Sequence, residues 1–515
     1  MDQQTIHRRR WAILAVLSLS LVVIGLDNTI LNVALPTLVR ELGATASELQ
    51  WIVDSYVLVF AGLLLTMGAV GDRFGRKRAL NLGLVIFGVS SLGAAFADSA
   101  PMLIGARALM GIGGALIMPS TLSVITNVFH GPERGRAIAM WAAMAGVGII
   151  LGPAIGGWLL EHFWWGSVFS INVVVVAAAL MAGARLVPES KDPEATPLDP
   201  IGAGLSIGGL SALVYAIIEA PTRGWTDGLV VGVFVLAAVL TFVFLWWENR
   251  TDHPMLELSF FEHARFSAAS GAVTLVFFAM FGTIFLLTQY LQFVLAFTPL
   301  EAGLRVMPIA TMVLAAPLSA RLTERFGTKV VVAGGLSVVL SALAVLGGVS
   351  LDSGYTPVAV ALMLLGVGMG SAMAPATDSI MGAVPLAKSG VGSAMNDTTR
   401  QVGGALGVAI LGSVLGSSYT AAMGSAVTGL PGDAAAAAAD SIGGAVRVAA
   451  QIGAQADTLL RAARNAFIDG LHSALWVAMA VVAAGVALTL VFLPAHAPDQ
   501  EAGEVVALSV GSGRR

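Results

Sequence analysis

Four polar side chains stand close together inside an otherwise apolar run, LVVIGLDNTILNVALPTL: Asp27, Asn28, Thr29 and Asn32. At about 100° per residue along a helix they share one broad polar arc, and aliphatic residues fill the rest of the turn. A carboxylate held there can do chemistry that a solvated one cannot. Desolvation favours its neutral form and a nearby cation favours its charged form, so the balance can leave it able to take and release a proton. The matching cation is Arg107, which lies within a second apolar run, LIGARALMGIGGA. Placing it there costs roughly 2.5–3.5 kcal/mol on insertion scales. Two plainer readings stand beside this one. Asp27 and Arg107 can form a static pair that fixes packing, and Arg107 can snorkel to an interface. A further acid, Asp54, follows Trp51 and precedes Tyr56 in QWIVDSYVL. Charge beside ring faces suits a lipophilic cation, while a place in the first turn suits a simple helix N-terminal charge.

The elements that must carry these residues are set by composition. The chain has 515 residues, 57% hydrophobic and only 11% charged, with a mean hydropathy of +0.86. Soluble domains carry roughly 25% charged residues, so the chain reads as an integral membrane protein with the lipid bilayer as its surroundings. Its 60 glycines suit close helix packing in lipid. A net charge of −4 argues against nucleic acid as a partner. The absence of cysteine removes disulfide and thiol chemistry. No G-x-x-x-x-G-K-[ST] loop is present, so ATP is not the expected energy source. His7, His130, His162, His253, His263, His472 and His496 do not fall at metal-ligand spacing. Neither an enzyme nor a cofactor is expected.

A helix needs about 20 apolar residues to cross the hydrocarbon, and the hydropathy pattern supplies about fourteen such stretches. The first follows HRRR, but it is long enough to span and no A-x-A site follows, so it reads as span 1 rather than a signal peptide. Arginines and lysines cluster on the segments that share the N-terminal side, including Arg8, Arg9, Arg10, Arg73, Arg76, Lys77, Arg78, Arg134, Arg136, Lys329 and Lys388. The opposite segments hold only Arg40, Arg223, Arg447, Arg461 and Arg464. By the positive-inside rule both termini are cytoplasmic, in a bacterial cytoplasmic membrane.

An internal repeat orders the spans. GAVGDRFGRKR (68–78) after span 2 is echoed by ARLTERFGTK (320–329) after span 10, with Glu324 opposite Asp72 and Gly327 opposite Gly75. LMGIGGALIMPST in span 4 is echoed by LLGVGMGSAMAPAT in span 12. The expected organisation is an N-terminal six-helix bundle over 1–190, two inserted spans within 191–265, and a C-terminal six-helix bundle over 266–497. The alanine-rich segment 423–469 should form short helices on the outer face, and 498–515 is a cytoplasmic tail.

Several stretches resemble the major facilitator superfamily, and within it the fourteen-span drug:proton antiporters: LDNTILNVALP, GAVGDRFGRKR, LIGARALMGIGGA and GIILGPAIGG (148–157). The departure is FWWGSVFSINV, where relatives commonly place an arginine between the aromatics. The resemblance implies an all-α fold of two six-helix bundles plus two inserted helices. It implies proton coupling at Asp27 and Arg107, and substrate contact at Asp54, Trp51, Tyr56, Asn28 and Asn32. Asp397 is carried with them, although its place near the cytoplasmic end of span 13, beside Arg400, fits an interface as well as a cavity. A conformational gate would involve Gly71, Asp72, Arg73, Gly75, Arg76 and Glu324, with Asp72 bonding across the halves in one conformation. On charge alone that loop is equally a topology anchor. Gly148, Gly152 and Gly156, spaced at i, i+4 and i+8 with Pro153 and Gly157, make a smooth stripe on which another backbone can close. The resemblance implies that they pack across the halves and block leakage. The expected function is a proton-driven antiporter, monomeric, that exports small hydrophobic or cationic molecules. An importer or uniporter of the same fold, or a transport-inactive sensor, are the rival readings.

Overall fold

The computed structural model describes residues 3–129, 132–191, 198–252, 254–384, 389–452 and 456–494. The expected tail 498–515 lies outside them, as do His130, His253, Lys388 and His496. The first six helices are α1 (Gln3–Leu42), α2 (Ala46–Phe74), α3 (Arg76–Ala95), α4 (Ala100–Val128), α5 (Pro132–His162) and α6 (Ser167–Leu186). A pair follows, α7 (Pro200–Arg223) and α8 (Gly228–Glu248). The remainder comprises α9 (Ala264–Gln289), α10 (Pro299–Val306), α11 (Thr311–Phe326), α12 (Thr328–Leu346), α13 (Tyr355–Gly382), α14 (Ser389–Met423), α15 (Gly432–Asp440), α16 (Ile442–Ala449) and α17 (Ala456–Phe492). Fourteen stretches of helix are long and apolar enough to cross a membrane.

Local sequence explains the ends. Thr45 and Glu48 form a capping box that starts α2. The tenth span is broken: α10 passes through a 3-10 turn, Met307–Ala310, into α11. Pro308 has no N–H to continue the α-helical ladder there. The two repeat loops turn on glycines in left-handed conformations, Gly75 at φ +119° and Gly327 at φ +81°. Side chains with a Cβ rarely adopt either. Each glycine N–H closes the preceding helix, onto Gly71 O at 3.0 Å and onto Thr323 O at 2.9 Å. The sequence echo is therefore a geometric echo.

In the first bundle α1 packs on α5, α2 on α4, and α3 on α4 and α6. In the second, α9 packs on α14, α12 on α13 and α17, and α11 on α13. The bundles meet along α2–α14 and α5–α10. The α7–α8 hairpin leans on the flank against α2 and α14, and α8 leaves most of its surface to lipid. The expected short helices of 423–469 are α15 and α16, with α16 packed on α1 and α17.

The halves are fastened on the face opposite the N-terminus. Gln292 Nε2 donates to Val33 O at 2.8 Å, and Leu300 N donates to Glu161 Oε1 at 3.3 Å. Gly157 lies so near Leu300 that an added Cβ would meet its Cα at 2.5 Å. On the N-terminal face the charged loops bond within their own half: Arg76 holds Asp72 at 2.7 Å, and Arg10 holds Glu133 at 2.9 Å.

Candidate functional site

The site grows from α1. Asp27 is completely buried, and its two oxygens take separate donors. Oδ2 pairs with the Arg107 guanidinium of α4, and Oδ1 accepts from Asn172 Nδ2 of α6 at 2.8 Å. Arg107 is itself 1% exposed. Its Nε donates to Ile52 O of α2 at 3.1 Å, and its guanidinium lies 4.4 Å from the Tyr56 ring centroid. Asn172 also donates to Ser91 Oγ of α3 at 3.0 Å. One polar cluster therefore ties together α1, α2, α3, α4 and α6. A buried ion pair is tolerated when further hydrogen bonds support it, and here the Ile52 carbonyl and the Asn172 amide supply them.

This placement corrects the expected wet arc. Asp27, Asn28, Thr29 and Asn32 spread over about 200° of the helix, wide enough to be divided among different neighbours. Asp27 turns into the first bundle. Thr29 Oγ1 donates to Ile149 O of α5 at 3.0 Å. Asn28 donates to Ile24 O at 2.9 Å and Asn32 to Asn28 O at 3.3 Å, both on their own helix.

Asp54 has the opposite environment. It is also fully buried, yet neither carboxyl oxygen has a partner among the described residues. It shares a stripe of α2 with Gln50, one turn earlier, and Gln50 packs against Gly412 of α14. Asp54 therefore lies on the side of α2 that meets the other half. The grouping with Trp51 and Tyr56 is not formed: Trp51 stacks toward Tyr215 of α7, with ring centroids 6.0 Å apart, and Tyr56 sits under Arg107. Successive residues on a helix point to different faces, so proximity in sequence did not become a pocket.

The remaining expected residues divide similarly. Asp397 pairs with Arg400 at 3.4 Å, and Arg400 also donates to Thr377 Oγ1 at 3.2 Å. In the gate loop, Asp72 bonds to Arg76 of its own loop, Arg73 lies over the Phe74 ring, and Glu324 is exposed. A Cβ on Gly71 would meet Ser120 Oγ at 3.1 Å. Gly148, Gly152 and Gly156 pack on α1 of the same half, which corrects the expectation that the whole stripe crosses the halves. A Cβ at Gly148 would lie 2.6 Å from Val22 O, Gly152 abuts Thr29, and Gly156 abuts Ile30. Of the motif residues, Pro153 and Gly157 reach across: Pro153 O abuts Gly303, and Gly157 abuts Pro299 and Leu300.

Sequence reasoning missed Asn172, although an asparagine inside SINVVVV is itself a buried-polar signal. It also missed the clamp on the gate loop, where Arg76 N donates to Ser190 O at 2.8 Å and Lys77 N to Glu189 Oε1 at 3.2 Å.

Comparison with known proteins fits this architecture. The sequence profile of the Major Facilitator Superfamily matches residues 17–408. The chain is 38% identical to the multidrug efflux pump LfrA of Mycolicibacterium smegmatis, over 94% of this chain and 96% of that protein. It is 37% identical to the methyl viologen resistance protein SmvA of Salmonella typhimurium, over 89% of this chain and 93% of that one. Among solved structures, a bacterial homologue of the human lysosomal transporter Spinster superposes with a TM-score of 0.67 at 17% identity, covering 94% of this chain and 97% of its own. The chain is a multi-pass membrane protein, a transporter rather than an enzyme, and belongs to the Major Facilitator Superfamily.

Proposed function

We propose that the protein exports small hydrophobic, cationic compounds from the cytoplasm in exchange for protons, by alternating access and as a monomer without a bound cofactor. The observation that carries this reading is the presence of two completely buried acids in one half, one saturated with donors and one with none. Relatives named for multidrug efflux and methyl viologen resistance support export of drugs. The Lys and Arg bias supports a cytoplasmic N-terminal side, and on that reading the face fastened by Gln292 and Gly157 is the outer one.

In this mechanism the six-helix halves rock about α2–α14 and α5–α10, with α7–α8 riding on the flank. A cationic substrate neutralises Asp54 from the cytoplasmic side and leaves outward. A proton on Asp27 breaks its pair with Arg107. The guanidinium keeps its hold on the Ile52 carbonyl and the Tyr56 ring, so the change at Asp27 is passed to the helix that carries Asp54. Inward proton movement supplies about 2.3 kcal/mol per charge per 100 mV of membrane potential. Everted vesicles loaded with a pH dye test the reading. Adding a lipophilic cation should release protons in the wild type and not in Asp27→Asn. A uniporter would move the cation without protons, and a sensor would move neither.

A further inference from the structure

Two acids stand at the foot of the α7–α8 hairpin. Asp199 immediately precedes α7 and Glu248 is the last residue of α8; they are 9% and 3% exposed. Asp199 is well supplied with donors. Gly202 N donates to its Oδ1 at 2.8 Å, and the Trp247 indole N–H reaches both oxygens at 3.1 Å. Its place at the N-terminus of α7 also favours the charge. Glu248 is supplied on one oxygen alone. Oε2 accepts from Leu256 N at 2.8 Å, while the buried Oε1 has no partner among the described residues. That free oxygen converges with Asp199 Oδ2 on one point, since a Cβ on Gly202 would collide with both. The two oxygens therefore share the bare side of that glycine.

Two carboxylates buried side by side cannot both stay charged without a cation. Neither acid forms an ion pair among the described residues. Glu248 is faced by Asp199 from α7 and by the Met255 and Leu256 N–H groups of the stretch that follows α8. From α2, Thr66 reaches only Met255, its Oγ1 donating to Sδ at 3.2 Å. Glu248 also ends its helix, where the dipole opposes a negative charge. A proton resolves the arrangement. An O–H at Glu248 Oε1 gives the orphan oxygen a partner, Asp199 Oδ2, and halves the charge of the pair.

We propose that Asp199 and Glu248 form a proton-binding site separate from Asp27 and Asp54, and that its proton staples the stretch after α8 to the hairpin. That stretch leads to α9 of the second bundle, and Glu248 holds it at Leu256. With the proton bound, the connection between the bundles is drawn against the hairpin foot. With the proton lost, like charges repel across Gly202 and the foot loosens. The inserted hairpin thereby carries a sensor of alkaline pH on the side of the molecule that bears the N-terminus.

Glu248→Gln tests this, because its amide N–H supplies permanently the bond that the proton supplies, and its carbonyl still accepts from Leu256 N. Infrared spectra of the full chain in lipid should lose one protonated-carboxyl band in this variant. Raising the pH should lower the wild-type Tm by several degrees, since the folded state holds a proton that leaves as pH rises. The Tm of Glu248→Gln should change much less. Asp199→Asn removes the other charge and should flatten the same profile, which keeps the test open if the first variant does not fold. Two results would overturn the inference. One is the same band and the same pH profile in the wild type and Glu248→Gln. The other is a wild-type Tm raised by magnesium and lowered by EDTA, with no such response in either variant, which would make the pair a metal-ion site.

Discussion

Asp27 and Asp54 sit on adjacent helices of one bundle and are equally inaccessible, yet their surroundings share almost nothing. Asp27 is gripped by Arg107 and Asn172, whose own remaining donors reach Ile52 and Ser91. Asp54 meets no donor among the described residues and shares its stripe of α2 with Gln50, which packs on α14 of the other half. The difference teaches that burial alone does not assign a role to a membrane acid. A carboxylate with donors from two other helices ties the bundle together for as long as that pairing holds. One without them carries a free-energy penalty when charged that a proton or a cationic ligand removes.

The comparison can be broken by substitution. The largest effect should come from Arg107→Ala, which strands a buried carboxylate and should destabilise the protein by about 3–5 kcal/mol. Thermal unfolding in detergent checks this, and a wild-type Tm would show that the cluster does not hold the bundle. Asp54→Asn should behave oppositely, keeping the wild-type Tm or exceeding it while abolishing substrate-driven proton release in everted vesicles. A large loss of stability in this variant would erase the contrast. Gly152→Ala should be next in stability, since its Cβ would be driven against Thr29 at the α1–α5 contact. Overpacking of this kind costs roughly 1–3 kcal/mol, readable as a lowered Tm. The smallest change in stability belongs to Asp72→Asn. Its pair with Arg76 is local and partly solvated, so the change should stay within about 1 kcal/mol. Turnover at matched expression should nonetheless fall if the loop gates the halves.

Much of the architecture was legible because hydropathy reports directly on length in a bilayer. Fourteen apolar stretches became fourteen spanning helices, and the echo of GDRFGRKR in TERFGTK became two left-handed glycine joints. The pairing of Asp27 with Arg107 was also legible, because two opposite charges in one apolar bundle have few other ways to be satisfied. Other expectations failed for one reason: helical periodicity gives the direction of a side chain but not the identity of its neighbour. Trp51 and Tyr56 flank Asp54 in sequence and face α7 and Arg107 in space. The glycine stripe of α5 found α1, and only Gly157 and the Pro153 carbonyl found the other half.

By itself the sequence determined that the chain lives in a membrane, how many times it crosses, and which few charges had to be reconciled with lipid. Those outcomes follow from composition and from local rules acting within about 20 residues. The tertiary structure decided which acid received the donors. The second donor to Asp27 is Asn172, 145 residues along the chain, and the face of α2 that bears Asp54 was turned toward α14 by the packing of the two bundles. Donors brought together from distant helices exist only once those helices have packed, so the different surroundings of the two acids belong to the fold.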